Sequence, residues 1–264
     1  MSADIDFPIV YCNGDSYSDE NYYPTLKNQT YAHVVGEYFQ GFVVNNAISG
    51  SCNRRILRTA VHDLTHQRTL NPDQKIIALI GLSFELRSEI WNNNKIPRNE
   101  SESNFETHIF TEEINWRKML LAGKDIGLKK NKHRIDQKFF DKYSQGRAYY
   151  YSPYAERTNL LCDLMMFQAL MQQLDIQFLI FQAPMAEKLE SEYLLDFFKS
   201  HLKSENFFDF ETFGFARWCC QQGFVPLDFK DRPDIAHYGP DAHRAFAEQI
   251  LIPHLEKYER RHRH

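Results

Sequence analysis

Four short apolar runs, separated by stretches of helical periodicity, constrain this chain more than any other feature. The runs are residues 7–12 (FPIVYC), 41–48 (GFVVNNAI), 75–81 (KIIALIG) and 176–182 (IQFLIFQ). The third is continuously apolar, as a strand buried on both faces must be. Between them, residues 31–39 read as a helix. Residues 53–66 carry Ile56, Leu57, Ala60, Val61 and Leu64 at helical spacing. Residues 159–174 place Leu160, Leu161, Leu164, Met165, Gln168 and Met171 on successive turns. Further helices are expected over 186–202 and 240–255. Strands alternating with helices predict an α/β domain whose parallel sheet is covered on both faces. Right-handed crossovers bring the C-terminal ends of such strands to one edge, where ligands bind. Ser16, Gly50 and Ser83 each follow a predicted strand, so all three should meet there.

The 264 residues suffice for one large domain, and a composition 43% hydrophobic and 25% charged is that of a folded chain rather than a disordered one. A formal net charge of −4 gives no reason to expect nucleic acid or an anionic membrane surface as partner. The five cysteines are odd in number and form no Cys-x-x-Cys, so neither a disulfide framework nor a zinc ribbon is expected. The first six residues carry two acids and no basic cluster, unlike a signal peptide, and no run of eighteen apolar residues occurs. A cytoplasmic, reducing location is the expectation from these features. Residues 91–152 break the alternation, with Asn92-Asn93-Asn94, a polar stretch to Glu106 and a basic run over 124–134. They read as a solvated insertion; a lid ending in Tyr149-Tyr150-Tyr151 is the sharper alternative. The last residues (ERRHRH) read as a frayed helix end. The whole of 1–264 is expected to be a single domain.

The chemistry-bearing residues sit at the two ends of the chain. Asn13-Gly14-Asp15-Ser16 follows the first strand, which exposes a serine at the sheet edge. The tetrapeptide is also good turn chemistry in its own right. Near the C-terminus, Asp234 and His237 are three residues apart, so both can face one side of a turn. His237 can then take the serine proton through one nitrogen while Asp234 binds the other and holds the tautomer.

With these residues in place, the chain resembles the SGNH hydrolase superfamily, the GDSL-type esterases. The first block of that family is matched by Gly14-Asp15-Ser16, the second by Asn45-Asn46-Ala47-Ile48-Ser49-Gly50-Ser51 with Gly50 as the matching glycine, and the last by Asp234 and His237 ahead of a C-terminal helix. The resemblance covers residues 7–250. It implies a flavodoxin-like three-layer α/β/α sandwich and a nucleophile at Ser16. It further implies a base at His237, an orienting acid at Asp234, and oxyanion donors at the Ser16 and Gly50 N–H groups. No cofactor and no metal are implied. The third block departs: Gly81-Leu82-Ser83 stands where Gly-x-Asn is usual. Either the Ser83 hydroxyl or a nearby group such as Asn53 then replaces the missing amide, or activity is weak. Asp15, Asn53 and Arg87 are candidate substrate contacts, although Arg87 and Glu89 read first as a pair on a helix face.

The implied function is cleavage of a carboxylic ester through an acyl-enzyme on Ser16, with a small acyl or acetyl group, on a carbohydrate among other alcohols. An O-acetyltransferase using the same residues, or a catalytically weak glycan- or partner-binding module, are the alternatives. A nucleophile elbow at Ser83 is disfavoured because Glu85 stands where that turn needs a small residue. A metal site built from Asp234, His237, Asp241 and His243 is disfavoured because Gly239-Pro240 breaks the segment.

Overall fold

In a computed structural model, residues 7–83, 87–91, 105–109, 153–184, 200–202, 205–207 and 213–262 are described. Ile9–Asn13 forms β1, an inner strand with every residue buried. Phe42–Asn45 forms β2, Ile76–Leu82 forms β3 and Gln177–Gln182 forms a later strand, β6. These four pair in parallel in the order β2-β1-β3-β6, with Tyr11 opposite Val44 on one side and Ala78 on the other. A parallel bridge from Ile180 to Phe207 continues the order beyond β6. This is the doubly wound arrangement the alternating sequence predicts.

Helices cover both faces. Alternate strand residues Val10, Cys12, Ile77, Leu79, Leu179 and Phe181 face a layer made of α1 (Tyr31–Phe39), α4 (Phe215–Gln221), α5 (Pro240–Phe246) and α6 (Ile252–His262). The intervening residues Ile9, Tyr11, Ile76, Ala78, Ile80 and Phe178 face α2 (Asn53–Leu70) and α3 (Pro153–Gln173). A strand with two apolar faces has to be covered twice, and that requirement produces the three layers. On α2, Ile56, Leu57, Ala60 and Leu64 supply the buried stripe, as their spacing predicts.

Some boundaries differ from the sequence expectation. β2 stops at Asn45 because side chains then lead the chain off the sheet: Asn45 Nδ2 donates to the Ser18 carbonyl at 2.9 Å and Asn46 Nδ2 to Asp63 at 2.9 Å. α3 begins at Pro153, a residue suited to a first helical position. The C-terminal helix is interrupted by a π turn, Ala247–Leu251, which joins α5 to α6. Arg87 and Glu89 lie on a strand, not a helix: β4 (Arg87–Trp91) pairs antiparallel with β5 (Phe105–Ile109), Glu89 opposite Thr107. The helix-face reading of that pair is therefore corrected. The basic run, the tyrosine triplet and most of the helix expected over 186–202 lie outside the described residues. Among the described residues, no helix is long and apolar enough to cross a membrane.

Candidate active site

The turn after β1 is built by its own side chains. Asn13, fully buried, accepts the Gly14 N–H at 2.8 Å and donates to Thr59 Oγ1 and the Tyr11 hydroxyl, each at 2.8 Å. Tyr11 in turn donates to Asp63 at 2.8 Å, so the end of β1 is fastened to α2. Burial, with the Asp63 carboxylate beside it, holds the Tyr11 phenol well above its usual range. Gly14 cannot be larger: a Cβ there would meet Ser18 Oγ at 2.2 Å. The Asp15 carbonyl then accepts the N–H groups of Ser18 and Asp19, both at 3.0 Å, and the chain reverses with Ser16 at the turn.

Ser16 meets His237 here. His237 Nε2 lies 2.8 Å from Ser16 Oγ, and both residues are 5% exposed. On the other side of the ring, His237 Nδ1 lies 2.7 Å from Asp228 Oδ2. A carboxylate can only accept, so Nδ1 carries the proton and Nε2 presents its lone pair to the serine hydroxyl. Asp228 Oδ1 accepts the His237 backbone N–H at 2.8 Å, which fixes the carboxylate relative to the ring. The Tyr17 ring stacks on the imidazole at 4.5 Å and 24°, and its hydroxyl donates to the Ile235 carbonyl at 2.5 Å. Tyr22, Tyr23 and Phe229 complete an aromatic surround, their ring centroids 4.5, 5.9 and 6.3 Å from the imidazole.

The carboxylate that meets the His237 ring is therefore Asp228, not the expected Asp234. Asp234 sits inside a 3₁₀ turn, Pro233–Ile235, which carries the chain past the ring. An antiparallel bridge between Pro226 and Tyr238, with the Leu227 N–H donated to the His237 carbonyl at 2.8 Å, folds the preceding loop back and lays Asp228 against the imidazole. Sequence does not single out Asp228, which lies nine residues upstream of His237 in a loop without periodicity. Only Asp-x-x-His carries a recognisable spacing.

The expected oxyanion donors divide into two groups. The segment bearing Gly50 is tied to the Ser16 turn: Ile48 N–H donates to the Gly14 carbonyl at 3.1 Å and Ser49 N–H to Asp19 Oδ2 at 2.9 Å. Gly50 adopts φ +83°, a conformation that disfavours any Cβ, although a side chain there would have open space. Gly50→Ala is thus expected to lose about 1 kcal/mol of stability in chemical denaturation, through backbone strain alone. An unchanged midpoint would show that the turn relaxes. Among the described residues, the N–H groups of Ser16 and Gly50 have no hydrogen-bond partner.

Ser83 differs. It is fully buried, and its one hydroxyl proton is donated to Asp15 Oδ2 at 2.7 Å. Its backbone is clamped by Asn53, whose Oδ1 accepts the Ser83 N–H at 2.6 Å and whose Nδ2 donates to the Ser83 carbonyl at 3.1 Å. The Ser83 hydroxyl is therefore spent, which corrects its expected role as oxyanion donor. Asn53 keeps a second amide N–H with no partner among the described residues. Asp15 is also corrected as a substrate contact, since it is fully buried and receives the Tyr17 N–H and the Ser83 hydroxyl. The Arg87 side chain lies outside the described part of its strand.

The four residues weighed as a metal set do not converge. His237 is held between Ser16 and Asp228, whereas His243 is buried against α1, where its Nδ1 accepts the Tyr31 N–H at 3.3 Å.

No family model matches the sequence, and no curated protein matches it. Solved structures similar to this chain include a member of the lipolytic protein G-D-S-L family from Veillonella parvula, 10% identical with a TM-score of 0.41, the match covering 92% of this chain and 96% of that one. A catalytic mutant of an acetylxylan esterase from Geobacillus stearothermophilus is 14% identical with a TM-score of 0.39, covering 94% of each chain.

Proposed function

We propose that this protein is a serine hydrolase that cleaves a carboxylic ester through an acyl-enzyme on Ser16. The observation that carries this reading is the hydrogen-bonded chain from Ser16 Oγ to His237 Nε2 at 2.8 Å and from His237 Nδ1 to Asp228 Oδ2 at 2.7 Å. A free serine hydroxyl is a weak nucleophile; an imidazole of the right tautomer within hydrogen-bond distance activates it. In the first step His237 Nε2 takes the Ser16 proton as Oγ bonds to the acyl carbon. The carbonyl π electrons move to the oxygen, which becomes the oxyanion. Asp228 stabilises the imidazolium so formed and does not take its proton.

The oxyanion needs donors already aimed at it. The unpartnered N–H groups of Ser16 and Gly50 are the candidates, and the spare Asn53 N–H is a third, in the place the sequence left open between Asn53 and Ser83. His237 then returns its proton to the alkoxide leaving group, releasing the alcohol. Water, deprotonated by the same nitrogen, attacks the acyl carbon and frees the acid and Ser16. The sequence resemblance points to a small acyl group, acetyl included, on a carbohydrate alcohol. No cofactor takes part in this scheme.

A fluorophosphonate probe tests the reading whatever the natural ester is, because it reacts with the activated serine itself. The wild-type chain is expected to be labelled at Ser16, to hydrolyse p-nitrophenyl acetate, and to lose both properties as Ser16→Ala. Labelling that persists in Ser16→Ala, or maps to Ser83, would end this assignment.

A further inference from the structure

The Asp228 carboxylate has a second side-chain donor. Tyr23 Oη lies 2.7 Å from Asp228 Oδ2, the same oxygen that receives the His237 Nδ1 proton at 2.7 Å. We propose that Tyr23 is a positioning residue of the Ser16–His237–Asp228 unit: by sharing Oδ2 with the imidazole, its phenol sets how strongly Asp228 holds the His237 Nδ1 proton. The kinetic part of this proposal rests on the hydrolase reading above; the hydrogen-bond part does not.

Local sequence places the phenol. Proline disfavours the helical region for the residue before it, and Tyr23, preceding Pro24, is extended at φ −122° and ψ 137°. Pro24 opens a 3₁₀ turn, Pro24–Leu26, in which the Leu26 N–H donates to the Tyr23 carbonyl at 2.9 Å. The Leu26 side chain is 1% exposed and anchors the turn in the core. Tyr22 packs edge-on against the Tyr23 ring at 4.8 Å. The phenol is thus held from the β1 side while Asp228 arrives from the C-terminal loop, so the bond spans the two halves of the site. Burial and the neighbouring carboxylate push the Tyr23 phenol well above its ordinary range, so it remains a donor at every pH the enzyme meets.

The effect on His237 follows from charge sharing. A donor on Oδ2 draws carboxylate charge away from the imidazole N–H and so weakens the preference for the imidazolium form. Without it, that charge falls on the His237 N–H alone, and the bond from Nδ1 to Asp228 strengthens. The other groups facing the ring do not duplicate this. Tyr17 stacks on it but gives its hydroxyl to the Ile235 carbonyl, and Tyr22 meets it tilted at 4.5 Å. Asp15, on the nucleophile turn, is engaged with the Tyr17 N–H and Ser83. His243, on α5, is kept neutral by burial, and charge on it and on His237 would repel.

The test is Tyr23→Phe, which keeps the ring and removes the oxygen. The acid limb of kcat/KM against p-nitrophenyl acetate is expected to move up by about one pH unit, a loss of about tenfold on that limb with little change on the plateau. The His237 Nδ1 proton, observed by NMR without any substrate, is expected to move downfield as its bond to Asp228 strengthens. Site-specific 3-fluorotyrosine at position 23, a stronger donor, should shift both readouts the opposite way. An equal loss at every pH with the limb unmoved would assign Tyr23 a merely structural role and overturn the proposal, as would an unshifted Nδ1 proton. Failure of the hydrolase reading would instead appear as absent turnover and absent Ser16 labelling in the wild type, and would leave the NMR result standing on its own.

Discussion

Asp228→Asn is expected to lower kcat on a p-nitrophenyl ester by about 10⁴-fold, while Asp234→Asn stays within about twofold of wild type. The contrast follows from which carboxylate meets the imidazole. Asp228 Oδ2 accepts the Nδ1 proton at 2.7 Å and Oδ1 accepts the His237 N–H at 2.8 Å. An asparagine has one acceptor oxygen for these donors and the Tyr23 phenol. If its amide nitrogen turns to Nδ1, the ring must carry its proton on Nε2, where it can no longer take one from Ser16. A factor of 10⁴ corresponds to about 5.5 kcal/mol of transition-state stabilisation. Asp234, half-buried in the 3₁₀ turn, is placed to do none of this. Collapse of activity in Asp234→Asn with Asp228→Asn unaffected would refute the geometry of the loop, and not merely the role of one residue.

His243 should dominate the acid sensitivity of the fold. Its ring is 1% exposed, stacked on Tyr31 at 5.5 Å and set against Phe215 at 4.7 Å. Burial pulls it down to about 3 from an ordinary 6.5, with lesser contributions from His237 and His33 and an opposing hydrogen bond to the Tyr238 backbone. Its Nδ1 accepts the Tyr31 N–H at 3.3 Å, and so caps α1, whose Thr30 makes no side-chain cap. The folded state binds this proton less readily than the unfolded chain. The stability it contributes is therefore full above pH 6.5 and declines as pH falls from about 6.5 toward about 3. By pH 4 the loss from this one group is about 3 kcal/mol. His243→Gln, which keeps an acceptor but cannot titrate, should flatten that part of the curve in urea unfolding between pH 7 and pH 4. Parallel curves for the two proteins would show that His243 is not the responsible group.

The parts of this protein legible in sequence are those set by local periodicity or by a turn. Residues 75–81 are continuously apolar, and β3 is buried along its whole length because both of its faces are covered. The spacing of Ile56, Leu57, Ala60 and Leu64 gives the buried stripe of α2. Asn13-Gly14-Asp15-Ser16 announces a tight turn at a strand end, and the Asp15 carbonyl closes that turn locally on the Ser18 and Asp19 N–H groups. His237 was legible because the resemblance carried it.

Asp228, Tyr23 and the tie between Ser83 and Asp15 were not legible, and the reason is the same for each. Their partners are 9, 205 and 68 residues away, joined across loops that carry no repeating pattern. The sequence by itself determined a parallel, doubly covered sheet with Ser16 at its edge and a histidine available from the C-terminal segment. Only the tertiary structure decided which acid that histidine holds. The 3₁₀ turn at Pro233–Ile235 takes Asp234 past the ring, and the Pro226–Tyr238 bridge returns Asp228 to it. Spacing along a chain limits which residues can meet, whereas backbone pairing between loops selects among them.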